Sequence, residues 1–143
     1  MKTAPAKPFT VLYADDDMDD RMIMNEVLAL LGVQHQVVEV PNGEAVLAYL
    51  SSLHRLEQHP RLIVLDNNMP LVSGREALMR IRQEPAYNHI PVAVLSTTIS
   101  QQDFYFFQNL GARCYTKPST VASFKQVVTE MLQYCCEEKA AAA

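Results

Sequence analysis

Short apolar runs alternate with longer amphipathic stretches along the chain, and the alternation repeats five times. Residues 9–14 (FTVLYA) are apolar and partly β-branched and stop at a block of aspartates, which predicts a buried strand. Over residues 18–31, Met22, Ile23, Val27, Leu30 and Leu31 fall near helical spacing, aspartates fill the first turn where the helix dipole favours them, and Gly32 ends the pattern. The unit recurs as a strand at 35–40 with a helix at 42–57 opened by Asn42, and a strand at 62–65, ending at Asp66, with a helix at 73–83 stopped before Pro85. A strand at 91–95 with a helix at 100–110 closed by Gly111, then a strand at 113–116 with a helix at 119–137, complete the series. Near-continuous apolar strands separated by amphipathic helices predict a parallel sheet covered on both faces. Right-handed crossovers make it a doubly wound, three-layer α/β sandwich.

Length and composition narrow the possibilities. The chain has 143 residues, 49% of them hydrophobic and 20% charged, which is one soluble domain with no room expected for a separate DNA-binding or catalytic output unit. The expected division is a flexible segment at 1–8, the folded domain at 9–137 and a tail at 138–143. Three cysteines, Cys114, Cys135 and Cys136, are an odd number with no C-x-x-C spacing, so neither a disulfide framework nor a zinc site is expected and the cytoplasm is the expected compartment. The N-terminus lacks an apolar signal segment and no run approaches the roughly 18 apolar residues of a membrane span. Net charge is −4 and the 12 lysines and arginines are scattered, which argues against nucleic acid as a partner. The four glycines form no dinucleotide or P-loop cradle, and G-x-S-x-G and H-E-x-x-H are absent.

Five of the seven aspartates fall between Asp15 and Asp20, just past the first strand. Ligand sites of open α/β sheets lie at the carboxyl ends of the strands. Capping and dipole complementation account for Asp17, Asp19 and Asp20. Asp15 and Asp16 stand at the strand exit itself, where two carboxylates repel and favour a cation between them. Asp66 stands at the third exit, followed by Asn67-Asn68-Met69-Pro70. Strands one and three are neighbours in a doubly wound sheet, so Asp15, Asp16 and Asp66 converge. Hard oxygen ligands without nearby histidine or cysteine fit Mg²⁺. The fourth strand exits into Ser96-Thr97-Thr98 and the fifth into Lys117-Pro118. Three carboxylates, a hydroxyl and one ammonium form a site for a phosphoryl group, in which Asp66 attacks phosphorus to form an acyl phosphate.

With these residues in place the chain resembles a receiver domain of the bacterial two-component response regulators. V-L-Y-A-D-D-D, L-I-V-L-D-N-N-M-P-L-V-S-G, V-L-S-T-T and Y-T-K-P occur in the right order, and the resemblance spans residues 9–137. The opening A-D-D-D-M-D-D-R resembles stand-alone receivers related to phytochrome-associated regulators. The resemblance implies a flavodoxin-like (βα)5 fold with strand order 2-1-3-4-5. It implies that Asp66 is the phosphoacceptor, that Asp16 and Asp66 bind Mg²⁺ directly with the Asn68 carbonyl, and that Asp15 holds the ion through water. It further implies that Ser96 and Lys117 contact the phosphoryl group, and that a sensor histidine kinase or phosphotransfer protein is the donor. The chain then acts as a binding switch or a relay intermediate, not as an enzyme on other substrates.

Two positions depart from the family pattern. Its switch aromatic stands three residues before the lysine; here that place is Cys114 and Tyr115 follows, so a shifted strand, a bulge or another output mechanism is left open. Thr97 replaces a frequently small residue and is expected to slow access, while Asn68 and Thr98 are placed to tune water access. In the fourth helix, spacing directs Phe104, Phe107 and Leu110 to the sheet and leaves Tyr105 and Phe106 toward solvent or the helix edge. These two form an expected contact patch for a homodimer or a target protein. Two alternatives remain: a receiver-like scaffold that is never phosphorylated, and a haloacid-dehalogenase-like phosphatase. The latter needs an acid two residues past the nucleophile, where Asn68 stands.

Overall fold

The structure is a computed structural model that describes residues 9–32 and 36–142, with side chains described through Cys136. The expected flexible segment at 1–8 and the start of the second strand at His35 lie outside the described residues. Five strands, β1 (Thr10–Ala14), β2 (Gln36–Val40), β3 (Leu62–Asp66), β4 (Val92–Ser96) and β5 (Ala112–Thr116), form one parallel sheet in the order β2-β1-β3-β4-β5. Five helices connect and follow them: α1 (Met18–Leu30), α2 (Gly43–Ser51), α3 (Gly74–Gln83), α4 (Gln101–Asn109) and α5 (Val121–Ala142). The expected doubly wound flavodoxin-like topology is therefore what the chain adopts.

Period-two alternation along the strands divides the core into two layers. Leu12, Ala14, Ile63, Leu65, Val92 and Val94 face α2, α3 and α4, and pack with Val46, Leu50, Leu78, Ile81 and Phe107. Val11, Tyr13, Leu62, Val64, Ala93 and Leu95 face α1 and α5, and pack with Met24, Val27, Phe124, Val128 and Met131. The helix starts are fixed by local chemistry. The side chains of Asp17, Asn42, Ser73 and Ser100 each accept a backbone N–H of the first turn. α1 and α4 end near Gly32 and Gly111, whose φ values of 71° and 73° suit glycine best.

Three boundaries or facings differ from the sequence reading. α2 stops at Ser51 instead of running to residue 57, and a 3-10 turn follows at Leu56–Gln58. The hydroxyls of Ser51 and Ser52 donate to the carbonyls of Ala48 and Tyr49, and the Gln58 side chain accepts the N–H groups of His54 and Arg55, so local bonds replace the helical ladder. α5 continues through Ala142, into the stretch set apart as a tail. In α4 the inward stripe is Asp103, Phe106, Phe107 and Leu110, at i, i+3, i+4 and i+7, rather than Phe104, Phe107 and Leu110. Phe107 is buried and Phe106 half-buried beneath the Arg75 guanidinium at 3.7 Å, while Phe104 and Tyr105 are the exposed aromatics.

β5 pairs with β4 in unbroken register, Cys114 opposite Val94 and Tyr115 opposite Leu95, so the strand carries neither a shift nor a bulge. Cys114 packs on the layer that holds α4, and Tyr115 on the layer of α1 and α5.

The loop between β3 and α3 is held tightly against the strand end. A Cβ on Gly74 would lie 2.6 Å from the Asp66 carbonyl oxygen and 3.0 Å from the Asn67 Cα, so only glycine lets α3 begin this close to Asp66. Gly74→Ala is expected to destabilise the fold by about 1–3 kcal/mol, the usual cost of forcing extra volume into a packed site. Urea unfolding measures this, and an unchanged midpoint would mean that the loop yields freely.

Candidate functional site

The parallel sheet delivers four strand ends to one edge. Asp15 follows β1 and keeps its backbone in the sheet through a 3.1 Å bond from its N–H to the Val40 carbonyl. Its carboxylate is fully buried. Oδ1 accepts the Asp17 N–H at 2.9 Å, while Oδ2 accepts the Tyr13 hydroxyl at 2.7 Å and the Lys117 ammonium at 3.0 Å. Asp66 closes β3 and is 5% exposed. Its Oδ1 accepts the Asn68 N–H at 3.1 Å, and its Oδ2 faces Lys117 Nζ at 3.3 Å. Asp16 is exposed, yet one oxygen from each of Asp15, Asp16 and Asp66 fits within a 4.8 Å cluster. Oxygen-only donors at such spacing, with one face open to water, fit a hard divalent cation.

Lys117 is fixed at both ends. Its N–H donates to the Ser96 carbonyl at 2.7 Å, which locks the β5 exit against β4, and its ammonium reaches Asp15, Asp66 and, at 2.7 Å, Asp20. The Ser96 hydroxyl is buried and donates to the Thr98 carbonyl at 2.8 Å, so it points into its own loop rather than at Asp66. Asn68 lies two residues beyond Asp66, with its backbone N–H already committed to the Asp66 carboxylate. Asp15, Asp16, Asp66 and Lys117 thus meet at the carboxyl edge of the sheet, whereas the Ser96 hydroxyl turns into its own loop and Asn68 reaches Asp66 through its N–H.

Three contributors escaped the sequence reading. Asp20, read as a first-turn complement to the dipole, is the shortest-range partner of Lys117. Tyr13 looked like one more apolar strand residue, although its place two residues before Asp15 puts both on one face of β1. Arg21 donates from its guanidinium to the Asp15 carbonyl and lies 3.7 Å from Glu39, tying α1 to the ends of β1 and β2. Asp17 caps α1 as expected.

The charges at this edge are strongly coupled. Burial pushes the Asp66 carboxyl up to about 6; the Asn68 N–H and Lys117 oppose that rise, and Asp15 adds to it. Burial alone would lower the Lys117 ammonium, but hydrogen bonds to Asp20 and Asp15 and the charges of Asp15 and Asp66 outweigh it and hold it above the usual lysine range. Burial, and then the Asp15 charge and hydrogen bond, keep the Tyr13 phenol far above its ordinary value.

A carboxyl whose pKa is raised on folding stabilises the fold while protonated and loses that contribution as pH rises to about 6. In EDTA at pH 7.5, Asp66→Asn is therefore expected to be about 1–3 kcal/mol more stable than the wild type. The gap should shrink as pH falls through about 6 and close near the ordinary carboxylate value of 3.8. Urea titrations at several pH values check this, and a variant less stable than wild type at pH 7.5 would refute it.

Comparison with known proteins agrees with this geometry. Residues 11–129 match the response regulator receiver domain. Response regulator Rcp1 of Synechocystis sp. is 34% identical over 114 residues, which make up 78% of this chain and 78% of Rcp1. The structure of the phosphorylated cyanobacterial phytochrome response regulator RcpA aligns with a TM-score of 0.79 at 31% identity, covering 91% of this chain and 95% of RcpA. The Mn²⁺-bound form of Rcp1 aligns with a TM-score of 0.74 at 31% identity, covering 85% of this chain and 89% of Rcp1. The sheet order, the acidic edge and these matches lead to one conclusion: this chain belongs to the response regulator receiver domain family of two-component signalling.

Proposed function

We propose that Asp66 accepts a phosphoryl group from a phosphohistidine of a sensor histidine kinase or phosphotransfer protein, and that Mg²⁺ is the cation at the acidic edge. The observation that carries this reading is the setting of Asp66, a nearly buried carboxylate 3.3 Å from the Lys117 ammonium and clustered with Asp15 and Asp16. With its pKa near 6, Asp66 is ionised at neutral pH and serves as the nucleophile. One carboxylate oxygen bonds to phosphorus, the P–N bond to the donor imidazole breaks, and a mixed anhydride forms on Asp66. Lys117 then donates to a phosphoryl oxygen, and the Ser96 hydroxyl reaches another by leaving the Thr98 carbonyl.

Asp15, Asp16 and Asp66, with the Asn68 carbonyl, are the residues that would hold Mg²⁺. When bound, the ion offsets the negative charge gathered by three carboxylates and an incoming phosphoryl group. The Mn²⁺-bound form of Rcp1 supports a divalent ion at such an edge. Thr97 and Thr98 are exposed at the rim, where they and Asn68 set the access of water to the acyl phosphate. The chemistry is confined to the chain itself, so no other substrate is turned over.

The switched surface lies along α4, β5 and α5. A groove of about 480 Å³ there is lined by Phe104, Gln108, Cys114, Tyr115 and Tyr134 among others, and the exposed rings of Phe104 and Tyr105 meet edge to face at 5.9 Å. Phe104, not Phe106, partners Tyr105 in this contact patch, which serves a homodimer or a target protein. Among the described residues no helix is long and apolar enough to cross a membrane, and the three cysteines are free.

The experiment is phosphorylation by a small acyl-phosphate donor with Mg²⁺, read by intact-mass spectrometry. The wild type should gain one alkali-labile phosphate and Asp66→Asn none. Equal uptake by Asp66→Asn would overturn the assignment.

A further inference from the structure

We propose that Tyr13 is a positioning residue for the cation site, its buried hydroxyl fixing the Asp15 carboxylate so that one defined oxygen faces the ion. The inference rests on the divalent-cation reading of the acidic edge and names a residue outside the ligand set.

Tyr13 is fully buried in the layer between the sheet and helices α1 and α5, among Met24, Val64 and Phe124. Phenylalanine would fill that space equally well. A hydroxyl in such surroundings is retained at a cost unless it is bonded. Its bond goes to Asp15 Oδ2 at 2.7 Å, two residues along the same strand face. A carboxylate offers about four lone-pair positions. On Asp15, Oδ2 takes the Tyr13 hydroxyl and the Lys117 ammonium, and Oδ1 takes the Asp17 N–H. The position left over is therefore on Oδ1.

Lys117 cannot fix this orientation by itself, because the same ammonium also serves Asp20 at 2.7 Å and Asp66 at 3.3 Å. Any movement of Lys117 toward a group on Asp66 loosens its hold on Asp15. The phenol has no such competing carboxylate and keeps Oδ2 turned away from the ion throughout. The hydroxyl thus does for Asp15 what the groups behind metal ligands generally do, holding the ligand's orientation without touching the metal.

The test is Tyr13→Phe, with Mn²⁺ alone as the probe and the hexaaquo Mn²⁺ signal in electron paramagnetic resonance reporting the free ion. Affinity for Mn²⁺ is expected to fall about tenfold, within the usual range for losing a partner behind a metal ligand. The Mg²⁺ concentration for half-maximal phosphorylation should rise by a similar factor, while the rate at saturating Mg²⁺ stays within about twofold. If Tyr13→Phe proves less stable in EDTA, the Mn²⁺-dependent rise in melting temperature still reads affinity, and it should be smaller than in the wild type. Unchanged Mn²⁺ affinity overturns the proposal, as does a lower saturating rate at unchanged affinity. Should the wild type bind Mn²⁺ but take no phosphate, the phosphoacceptor reading fails while the Mn²⁺ titration still decides the role of Tyr13.

Discussion

One ammonium shared by three carboxylates holds the functional edge together. Lys117 Nζ lies 2.7 Å from Asp20, 3.0 Å from Asp15 and 3.3 Å from Asp66, and its side chain is only 10% exposed. Charges this sheltered from water attract and repel strongly, so Asp15 and Asp66 need Lys117 between them. The ammonium does not neutralise the edge, because Asp16 adds a further negative charge beside the same two carboxylates. The strand ends therefore converge on an edge that keeps a net negative charge.

The sheet exists in the form needed to impose that crowding. Parallel strands in the order β2-β1-β3-β4-β5 bring Asp15, Asp66, Ser96 and Lys117 to one edge from positions up to 102 residues apart. Two packed layers leave the strand ends little freedom to separate and relieve repulsion. Local bonds complete the restraint: the Lys117 N–H on Ser96, the Asn68 N–H on Asp66, and the close approach at Gly74.

Much of this was legible in the sequence because the determinants are local or follow from strand order. Apolar runs gave the strands, Asn42, Ser73 and Ser100 gave helix starts, and the strand-exit rule brought Asp15, Asp16, Asp66 and Lys117 together. What stayed hidden were residues with two compatible roles. Asp20 satisfies the helix dipole, which already explains an acid in a first turn, and nothing local reveals that α1 also aims it at Lys117. Tyr13 sits inside an apolar run where its ring is an ordinary core residue, and its hydroxyl matters only once Asp15 is seen to be buried. The facing of α4 departs from the three-residue spacing because positions three apart drift around a helix, and the stripe centred on Phe107 includes Phe106 instead of Phe104.

Lys117 holds mutually repelling carboxylates in place, and the direct measurement is the stability of Lys117→Gln by urea unfolding at pH 7.5, in EDTA and in millimolar Mg²⁺. A loss of about 3 kcal/mol or more is expected in EDTA, as when one partner of a buried charge pair is removed. Mg²⁺ is expected to stabilise the variant by a larger increment than it stabilises the wild type. Equal stability of variant and wild type in EDTA would contradict this role of Lys117.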